Sequence, residues 1–304
     1  MGDIPFLRQT TLSANPQHVG RYEVELSPEW NAPFTPQGGL MTAIAARAME
    51  TRLGRPDQQL RTITTMFVSQ VSPGPVSVDV SLLRAGSRMS QLTATLTTAE
   101  GAVGLKTVAV FGSDRPGFVF TEATMPEVPP AAECPSFRDT PQDATGIIPA
   151  PLWDLVEGRL AQGHHPWDNP SPTTSEQVYW YRFDDPPLLA DGRMDRLAGL
   201  VLSDIMIGSA YERMGSGLPV WLAPSADLTV HLFEEAQSPW LLARNRAHRA
   251  DQGYLSLELE LWDPADERCA RTRPNSHCSR SRRRTSPRTF PPRSPDESSG
   301  HPCC

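Results

Sequence analysis

The sequence predicts an α+β protein in which one layout is used twice. Each half has a strand-like run, then a helix that is apolar nearly all round, then four strand-like runs separated by Gly and Pro. A helix of this kind must be covered on several sides. A curved antiparallel sheet wrapped around a long central helix covers it. We therefore predict two such sheets, which can pair edge to edge and so remove exposed edges.

The first half contains one predicted helix and five predicted strands. A turn region rich in Pro and Gly, Pro33–Gly39, leads into the helix Leu40–Leu53, which Gly54 closes. Apolar residues alternate with polar ones in the strand-like runs, as in a half-buried sheet. These runs are His18–Leu26, Leu60–Val71, Pro75–Arg84, Met89–Thr98 and Val103–Phe111.

The second half repeats this order. Its first strand is broken by Pro186-Pro187, and a helix is predicted from about Met194 to Met214, where Gly215 ends it. The predicted strands are Glu176–Phe183, Ala226–Phe233, Trp240–Arg249, Tyr254–Trp262 and Glu267–Arg273.

Composition divides the chain into four parts. Residues 1–113 and 174–273 are the two predicted domains, and 114–173 is a Pro-rich connector, either a long loop or a strap across the surface. Residues 274–304 hold six Arg against two acids and one large apolar residue, so we predict a disordered basic tail. One hypothesis is that this tail is a frameshift product, since a neighbouring reading frame can encode Gln-Leu-Ala-Leu-Leu-Ala from Pro274 onward.

Composition also excludes several classes of function. The net charge is −7, which argues against nucleic-acid binding, and no apolar run is long enough for a membrane span. The five cysteines form no disulfide framework, and no secretory signal is visible, so we expect a cytoplasmic protein. No paired-Cys or His-Glu-x-x-His zinc pattern and no phosphate-binding Gly-Lys-Ser/Thr loop occurs, so neither a metal nor another cofactor is expected.

The order and spacing of several short motifs resemble the acyl-CoA thioesterase II family, whose chains contain two hotdog folds. The resemblance covers about residues 15–273 and implies a double hotdog fold that acts on acyl-CoA. This sequence differs from the family pattern at Ser87-Arg88, where the family pattern has Arg followed by Ser, and at every position after Arg273. The matching motifs are Pro36-Gln-Gly-Gly-Leu40, Leu83-Arg-Ala-Gly86, Ser90-Gln91, Leu200-Val-Leu-Ser-Asp204, Ala226–Phe233, Trp240-Leu-Leu242, Gly253-Tyr254 and Glu260–Asp263.

Asp204 is a candidate catalytic residue on its own chemistry, because it lies within the apolar run Leu200–Ile207. A carboxylate with apolar neighbours is costly unless it is paired or used. Two interpretations stay open. The residue either reaches solvent or a nearby backbone group, or it is a general base that activates water against a thioester carbonyl. The resemblance implies the second role.

The resemblance adds a hydroxyl residue and a Gln to the site. The hydroxyl falls on Ser225, which is equally compatible with an ordinary Ser at a strand start. The Gln is expected on the last strand, where this sequence has Pro274, a residue without an amide side chain or a backbone N–H. The shifted reading frame places a Gln at that point.

Glycines and arginines complete the candidate site. The N–H groups of Gly38 and Gly39 either form an oxyanion hole at the helix start or belong to a tight turn. Arg84 and Arg88 are candidates for binding the phosphates of coenzyme A, with a solvated surface as the alternative.

The sequence thus predicts hydrolysis of an acyl thioester to a fatty acid and free coenzyme A. The alternative is a non-catalytic acyl-CoA-binding or inactive hotdog protein, which the missing Gln favours. A hotdog hydratase is disfavoured, because no Asp and His pair has a suitable spacing. A homo-oligomer that associates through the sheets is also expected.

Overall fold

The computed structural model confirms the α+β class and joins both halves into one antiparallel sheet. It describes residues 3–141, 144, 150–168, 171, 174–205, 208–215, 221–265, 279–285 and 288–289. Helices are α1 (Pro5–Gln9), α2 (Gly38–Leu53), α3 (Ala198–Leu202) and α4 (Gly208–Met214). Strands are β1 (Ser13–Ala14), β2 (Arg21–Leu26), β3 (Gln59–Phe67), β4 (Gly74–Ala85), β5 (Met89–Thr98), β6 (Val103–Gly112), β7 (Val156–Gln162), β8 (Glu176–Phe183), β9 (Trp221–Leu222), β10 (Ser225–Leu232), β11 (Leu241–Asp251), β12 (Tyr254–Trp262), β13 (Ser279–Thr285) and β14 (Arg288–Thr289).

In the part of the chain that the structure describes, the sheet has twelve strands in the order β1-β2-β4-β5-β6-β3-β10-β13-β12-β11-β8-β7. The two halves meet where β3 pairs with β10. On the outer side of this seam, the hydroxyls of Thr64 and Thr229 are 3.1 Å apart, and the Thr62 hydroxyl lies 3.2 Å from the Nδ1 atom of His231. Because each half gives its open edge to the other, the predicted edge-to-edge pairing leaves β3 and β10 with no free edge at this seam.

Within the described residues, a long central helix is present in the first half only. The sixteen residues of α2 lie inside the curve of the sheet, and Leu40, Ile44 and Met49 have no exposed surface. The helix ends at Gly54, whose φ of 61° is the left-handed value that favours glycine. In this half the predicted and observed helices agree closely.

The prediction of one helix over 194–214 is wrong. In the described residues, α3 ends at Leu202, and Ser203 and Asp204 form a turn before α4 begins at Gly208. The Ser203 hydroxyl donates to the Gly199 carbonyl oxygen at 2.7 Å, a local bond of the kind that competes with a continuing helix. The break frees the Asp204 side chain from the helix surface and directs it toward the N-terminus of α2.

The connector contains a strand and a strap, where a loop or strap was expected. The strand β7 pairs with β8 at the edge of the sheet. Residues 123–131 lie across the outer face of the second half, where Ala123, Met125 and Val128 pack on a cluster that includes Trp180. The indole N–H of Trp180 donates to the Pro129 carbonyl oxygen at 2.9 Å. The strap therefore covers this face with the chain's own residues.

The structure also differs from the sequence expectation in the tail, where residues 279–285 form the strand β13. It pairs with β10 on one side and with β12 on the other. Composition predicts disorder because the side chains are polar, but strand pairing uses backbone groups that every residue here carries. Without β13, both β10 and β12 would present an open edge. The predicted strand over 267–273 lies outside the described residues.

Candidate functional site

The N-terminus of α2 forms the base of the candidate site, and the side chain of Gln37 holds this helix end in place. The Gln37 side-chain oxygen accepts the backbone N–H of Leu40 at 2.7 Å, so Gln37 is the N-cap of the helix. Its amide nitrogen donates to the Val201 carbonyl oxygen of α3 at 2.9 Å. One buried side chain thus fastens the start of α2 to the end of α3, three residues before Asp204.

The Asp204 carboxylate is held by one donor from each half of the chain. The backbone N–H of Gly39 donates to Oδ2 at 3.1 Å, and the hydroxyl of Ser225 donates to Oδ1 at 3.0 Å. Asp204 and Ser225 are both partly buried. The carboxylate also lies at the positive end of the α2 dipole, which favours a negative charge. The structure therefore brings together three of the predicted site residues, since Gly39 and Ser225 both bond to the carboxylate of Asp204.

Gly38 and Gly39 are needed for close approach. A Cβ atom on Gly38 would lie 2.7 Å from Oδ2 of Asp204 and 2.8 Å from Cζ of Phe67. On Gly39 it would clash with the Leu200 carbonyl oxygen of α3. Neither glycine has the positive φ that a special turn requires. Both positions therefore need glycine for space, and at Gly38 that space is bounded by the Asp204 carboxylate and the Phe67 ring.

The first turn of α2 is fixed from the sheet side as well. The Thr42 hydroxyl donates to the Gly38 carbonyl oxygen at 2.9 Å and lies 3.1 Å from the hydroxyl of Thr65 on β3. Both threonines are buried. A hydroxyl on a helix that bonds back to the preceding turn satisfies itself locally, and the contact with Thr65 ties that turn to the sheet.

Two of the predicted roles stay predictions. In the structure the Gly39 N–H donates to Asp204 and so positions the carboxylate, and its role as an oxyanion donor stays a prediction. Arg84 and Arg88 are exposed. Arg88 lies beside Ser113, just after β6, and the strand pairing places Arg84 level with Thr62 of β3. The phosphates of coenzyme A lie far from its thioester, so the predicted role of these two arginines in binding them stays a prediction.

Sequence reasoning missed Gln37, Phe67 and the Thr42–Thr65 contact. Gln37 stands in a motif that the sequence singles out, but its partner Val201 is 164 positions away. No local pattern indicates such a bond. The position at which a Gln is expected, Pro274, lies outside the described residues.

Other features of the described residues do not add to this site. They contain no group of three or more His, Cys, Asp or Glu side chains placed to hold a metal ion. A cavity of about 330 Å³ lies near the other end of α2, lined by residues that include Arg47, Thr51 and Asp195. The helices of the described part of the chain include none that is long and apolar enough to cross a membrane.

Comparisons with known proteins match both halves of the chain. The family model for the acyl-CoA thioesterase N-terminal domain matches residues 26–112, and that for the C-terminal domain matches residues 126–273. Comparison with curated proteins gives no match.

Among solved structures, the chain is similar to a conserved protein of unknown function with a hotdog fold from Alicyclobacillus acidocaldarius. The TM-score is 0.74 at 22% identity, over 94% of this chain and 98% of that one. It is also similar to acyl-CoA thioesterase II from Mycobacterium marinum, with a TM-score of 0.69 at 17% identity, over 94% of this chain and 99% of that one. At these identities the similarity shows the hotdog fold.

Proposed function

The chain belongs to the acyl-CoA thioesterase family, and on that premise we propose that it hydrolyses acyl-CoA to a carboxylic acid and free coenzyme A. The observation that carries the proposal is the Asp204 carboxylate, held by the Gly39 N–H at 3.1 Å and by the Ser225 hydroxyl at 3.0 Å. Donors from both halves fix the carboxylate in one orientation. Such a fixed, partly buried carboxylate is suited to general-base catalysis.

In the proposed reaction, a water molecule bonds to the Asp204 carboxylate and attacks the thioester carbonyl carbon. Its proton passes to Asp204 as the new C–O bond forms. The tetrahedral intermediate then breaks its C–S bond, and the leaving thiolate takes up the proton, which gives the acid and the free thiol. Ser225 and Gly39 orient the base throughout, while the apolar surroundings, including Phe67, receive the acyl chain.

The substrate class and cellular location are proposals that go with this activity. We propose acyl-CoA as the substrate, the cytoplasm as the location, no role in nucleic-acid binding and no cofactor. A water nucleophile and a carboxylate base are sufficient for thioester hydrolysis, so the mechanism calls on no other group.

Thiol release from a panel of acyl-CoAs tests the proposal, with the wild-type protein compared with Asp204→Asn. Asn keeps the size of the side chain but removes the base, so we expect the rate to fall at least about 100-fold. Asp114→Asn is the matched control, because its side chain is 89% exposed and lies at the opposite end of β3. No release above background by the wild type would exclude hydrolysis, and equal release by Asp204→Asn would exclude the role of Asp204.

A second candidate is a protein that binds acyl-CoA without turnover. It is favoured by Pro274, which stands where the family resemblance places a Gln. Equilibrium binding of acyl-CoA with no thiol release by the same preparation would support it. Thiol release that Asp204→Asn abolishes would exclude it.

A further inference from the structure

The side chains of β10 alternate strictly between the two faces of the sheet from Asp227 to Leu232. The even-numbered residues of this stretch are buried, and the odd-numbered ones are partly buried or exposed. Thr229 marks the outer face, since its hydroxyl meets that of Thr64 on the outer side of the seam. Successive side chains of a strand point to opposite faces, so a regular β10 would place Ser225, another odd-numbered residue, on the outer face as well.

Ser225 nevertheless points to the inner face. Its hydroxyl donates to Oδ1 of Asp204 at 3.0 Å, and Oδ2 of the same carboxylate accepts the N–H of Gly39 at the start of α2. The helix α2 lies inside the curve of the sheet. The side chain of Ser225 is therefore on the opposite face from the one that its position in a regular strand would give it.

A β-bulge at Ala226 accounts for this reversal. In the pairing with β13, Ser225 is opposite Thr285 and Asp227 is opposite Arg284, so two steps along β10 match one step along its partner. Ala226 is the extra residue, and it has no register partner in this pairing. One extra residue in a pattern of period two exchanges the faces of the residues that precede it. The bulge thus turns Ser225 inward, while Asp227 keeps the outer face.

Within the described residues, β13 alone pairs with β10 at the level of the bulge. The register of β3 with β10 begins at Asp227 and does not include Ser225. The backbone position of Ser225 is therefore set by its pairing with Thr285 of β13. Because the bulge exists only in this register, the register of β13 also decides where Ser225 points.

Charge favours this register of β13. Three of the four arginines of the strand lie level with carboxylates, Arg284 with Asp227, Arg282 with Glu258 and Arg280 with Glu260. Glu258 and Glu260 are 4% and 7% exposed, and buried carboxylates cost free energy unless positive charge lies near. Arg244 and His248 of β11 bond to them from the other side. A slip by one residue would bring three arginine positions to the core face, where the observed register has only Arg283.

We propose that Ala226 and Arg284 are positioning residues for the Asp204 site. The bulge at Ala226 turns the Ser225 hydroxyl to the carboxylate, and Arg284, opposite Asp227, holds β13 in the register that keeps the bulge. The effect on catalysis rests on the proposed function. The bond between Ser225 and Asp204 does not, because its loss is also measured as a fall in the midpoint of denaturant unfolding.

An exchange of two neighbouring side chains tests the bulge. Ser225→Ala removes one donor from the Asp204 carboxylate, so we expect kcat for thiol release to fall at least about tenfold with KM unchanged, and the unfolding midpoint to fall as well. Ala226→Ser added to that variant moves the hydroxyl to the position that a regular strand would turn inward. Because the bulge takes this position out of the alternation, we expect no recovery of kcat or of the midpoint. Recovery would show a regular strand and overturn the proposal.

Charge reversal tests the role of Arg284. Arg284→Glu opposes a second carboxylate to Asp227 and is expected to lower kcat about fivefold with KM unchanged, while Arg284→Glu combined with Asp227→Arg is expected to restore it. Arg249→Glu is the matched control, because this side chain is 76% exposed and bonds to Asp251 on β11, three strands from β10. It is expected to keep the kcat of the wild type.

Deletion of Ala226 separates the bulge from a general weakening of the sheet. A strand one residue shorter places Ser225 inward without a bulge, so in this background Arg284→Glu is expected to leave kcat unchanged. An equal fall of kcat in both backgrounds would overturn the role of Arg284. A wild type that releases no thiol would exclude the proposed hydrolysis, and the unfolding midpoints would still decide whether the bulge brings Ser225 to Asp204.

Discussion

At the scale of single residues, the site depends on space beside Gly38. A Cβ atom there would lie 2.7 Å from Oδ2 of Asp204 and 2.8 Å from the Phe67 ring, and contacts this short force a neighbour to move. We expect Gly38→Ala to displace the carboxylate and lower kcat for thioester hydrolysis about 100-fold or more. The cost in stability is expected to be about 1–3 kcal/mol. Steady-state thiol release and denaturant unfolding measure the two effects.

Gly199→Ala is the matched control for this prediction. It lies in α3, close to Asp204 in the sequence, but a Cβ atom at Gly199 meets nothing within 4 Å. Alanine favours a helix over glycine by about 0.5–1 kcal/mol, so this variant is expected to keep its activity and to gain slightly in stability. Equal losses of kcat in the two glycine variants would contradict the steric argument.

Individual site residues were predictable to different degrees. Asp204 was identified because a carboxylate in an apolar run costs free energy unless it is paired or takes part in function. Ser225 was identified from the family resemblance. Gln37 and Phe67 were not, because their roles arise from contacts between distant parts of the chain. The bond of Gln37 to Val201 exists only after α2 and α3 are packed together. The local sequence indicates which charged residue is expensive to bury. It does not indicate which distant residues the fold brings into contact with it.

At the scale of secondary-structure elements, α2 carries a pH-sensitive group. Burial raises the pKa of Glu50 to about 6, in opposition to the charge of Arg47, which bonds to Glu50 at 2.8 Å and also to Asp195. Its pKa in the unfolded chain is lower, at 4.5. Between these values the folded state binds more protons, so stability decreases as pH rises through this window.

Glu50→Gln is expected to remove this pH dependence. Relative to the wild type, the variant should gain about 1 kcal/mol in unfolding free energy between pH 4.5 and pH 7. We place the gain below the about 2 kcal/mol of a full shift of 1.5 pKa units, because 30% of the side chain is exposed. Denaturant titrations of both proteins at the two pH values measure it. A difference that does not change with pH would contradict the prediction.

The strand β13 provides a test of register. Arg283 lies opposite Leu228 of β10 and Leu257 of β12, both of which are fully buried, so its position belongs to the core face of the sheet. We expect Arg283→Leu to raise the unfolding free energy by about 1–2 kcal/mol, near the value of burying a leucine. Arg282 takes the alternate position, opposite Thr229 and the buried Glu258, so Arg282→Leu removes a positive charge beside a buried carboxylate and is expected to lower the unfolding free energy. Equal effects would exclude this register.

Strands were easier to predict than the second helix, for a physical reason. Met89–Thr98, Glu176–Phe183 and Tyr254–Trp262 agree with the predicted bounds to the residue, because their residues alternate in burial or are apolar on both faces. The helix over 194–214 failed because an apolar pattern cannot show where a turn interrupts it. The turn at Ser203–Asp204 is stabilised by partners on α2 and β10, which the local sequence does not contain.

At the scale of the whole molecule, the two halves are unequal parts of one site. The first half supplies the long helix and the Gly39 N–H, and the second supplies Asp204 and Ser225. The β3–β10 seam holds these parts in register. Neither half therefore carries all the residues of the candidate site.

This division predicts the behaviour of the separated halves. Residues 1–113 alone would expose the edge of β3, and residues 114–304 alone would expose the edge of β10, so each is expected to aggregate or to pair with the other. We expect neither half alone to release thiol from acyl-CoA. Co-expression of a tagged 1–113 with an untagged 114–304 is expected to yield a co-purifying pair that restores release, and Asp204→Asn in that pair is expected to abolish it. Thiol release by 114–304 alone at the rate of the intact chain would contradict the shared site, since Gly39 would then be dispensable.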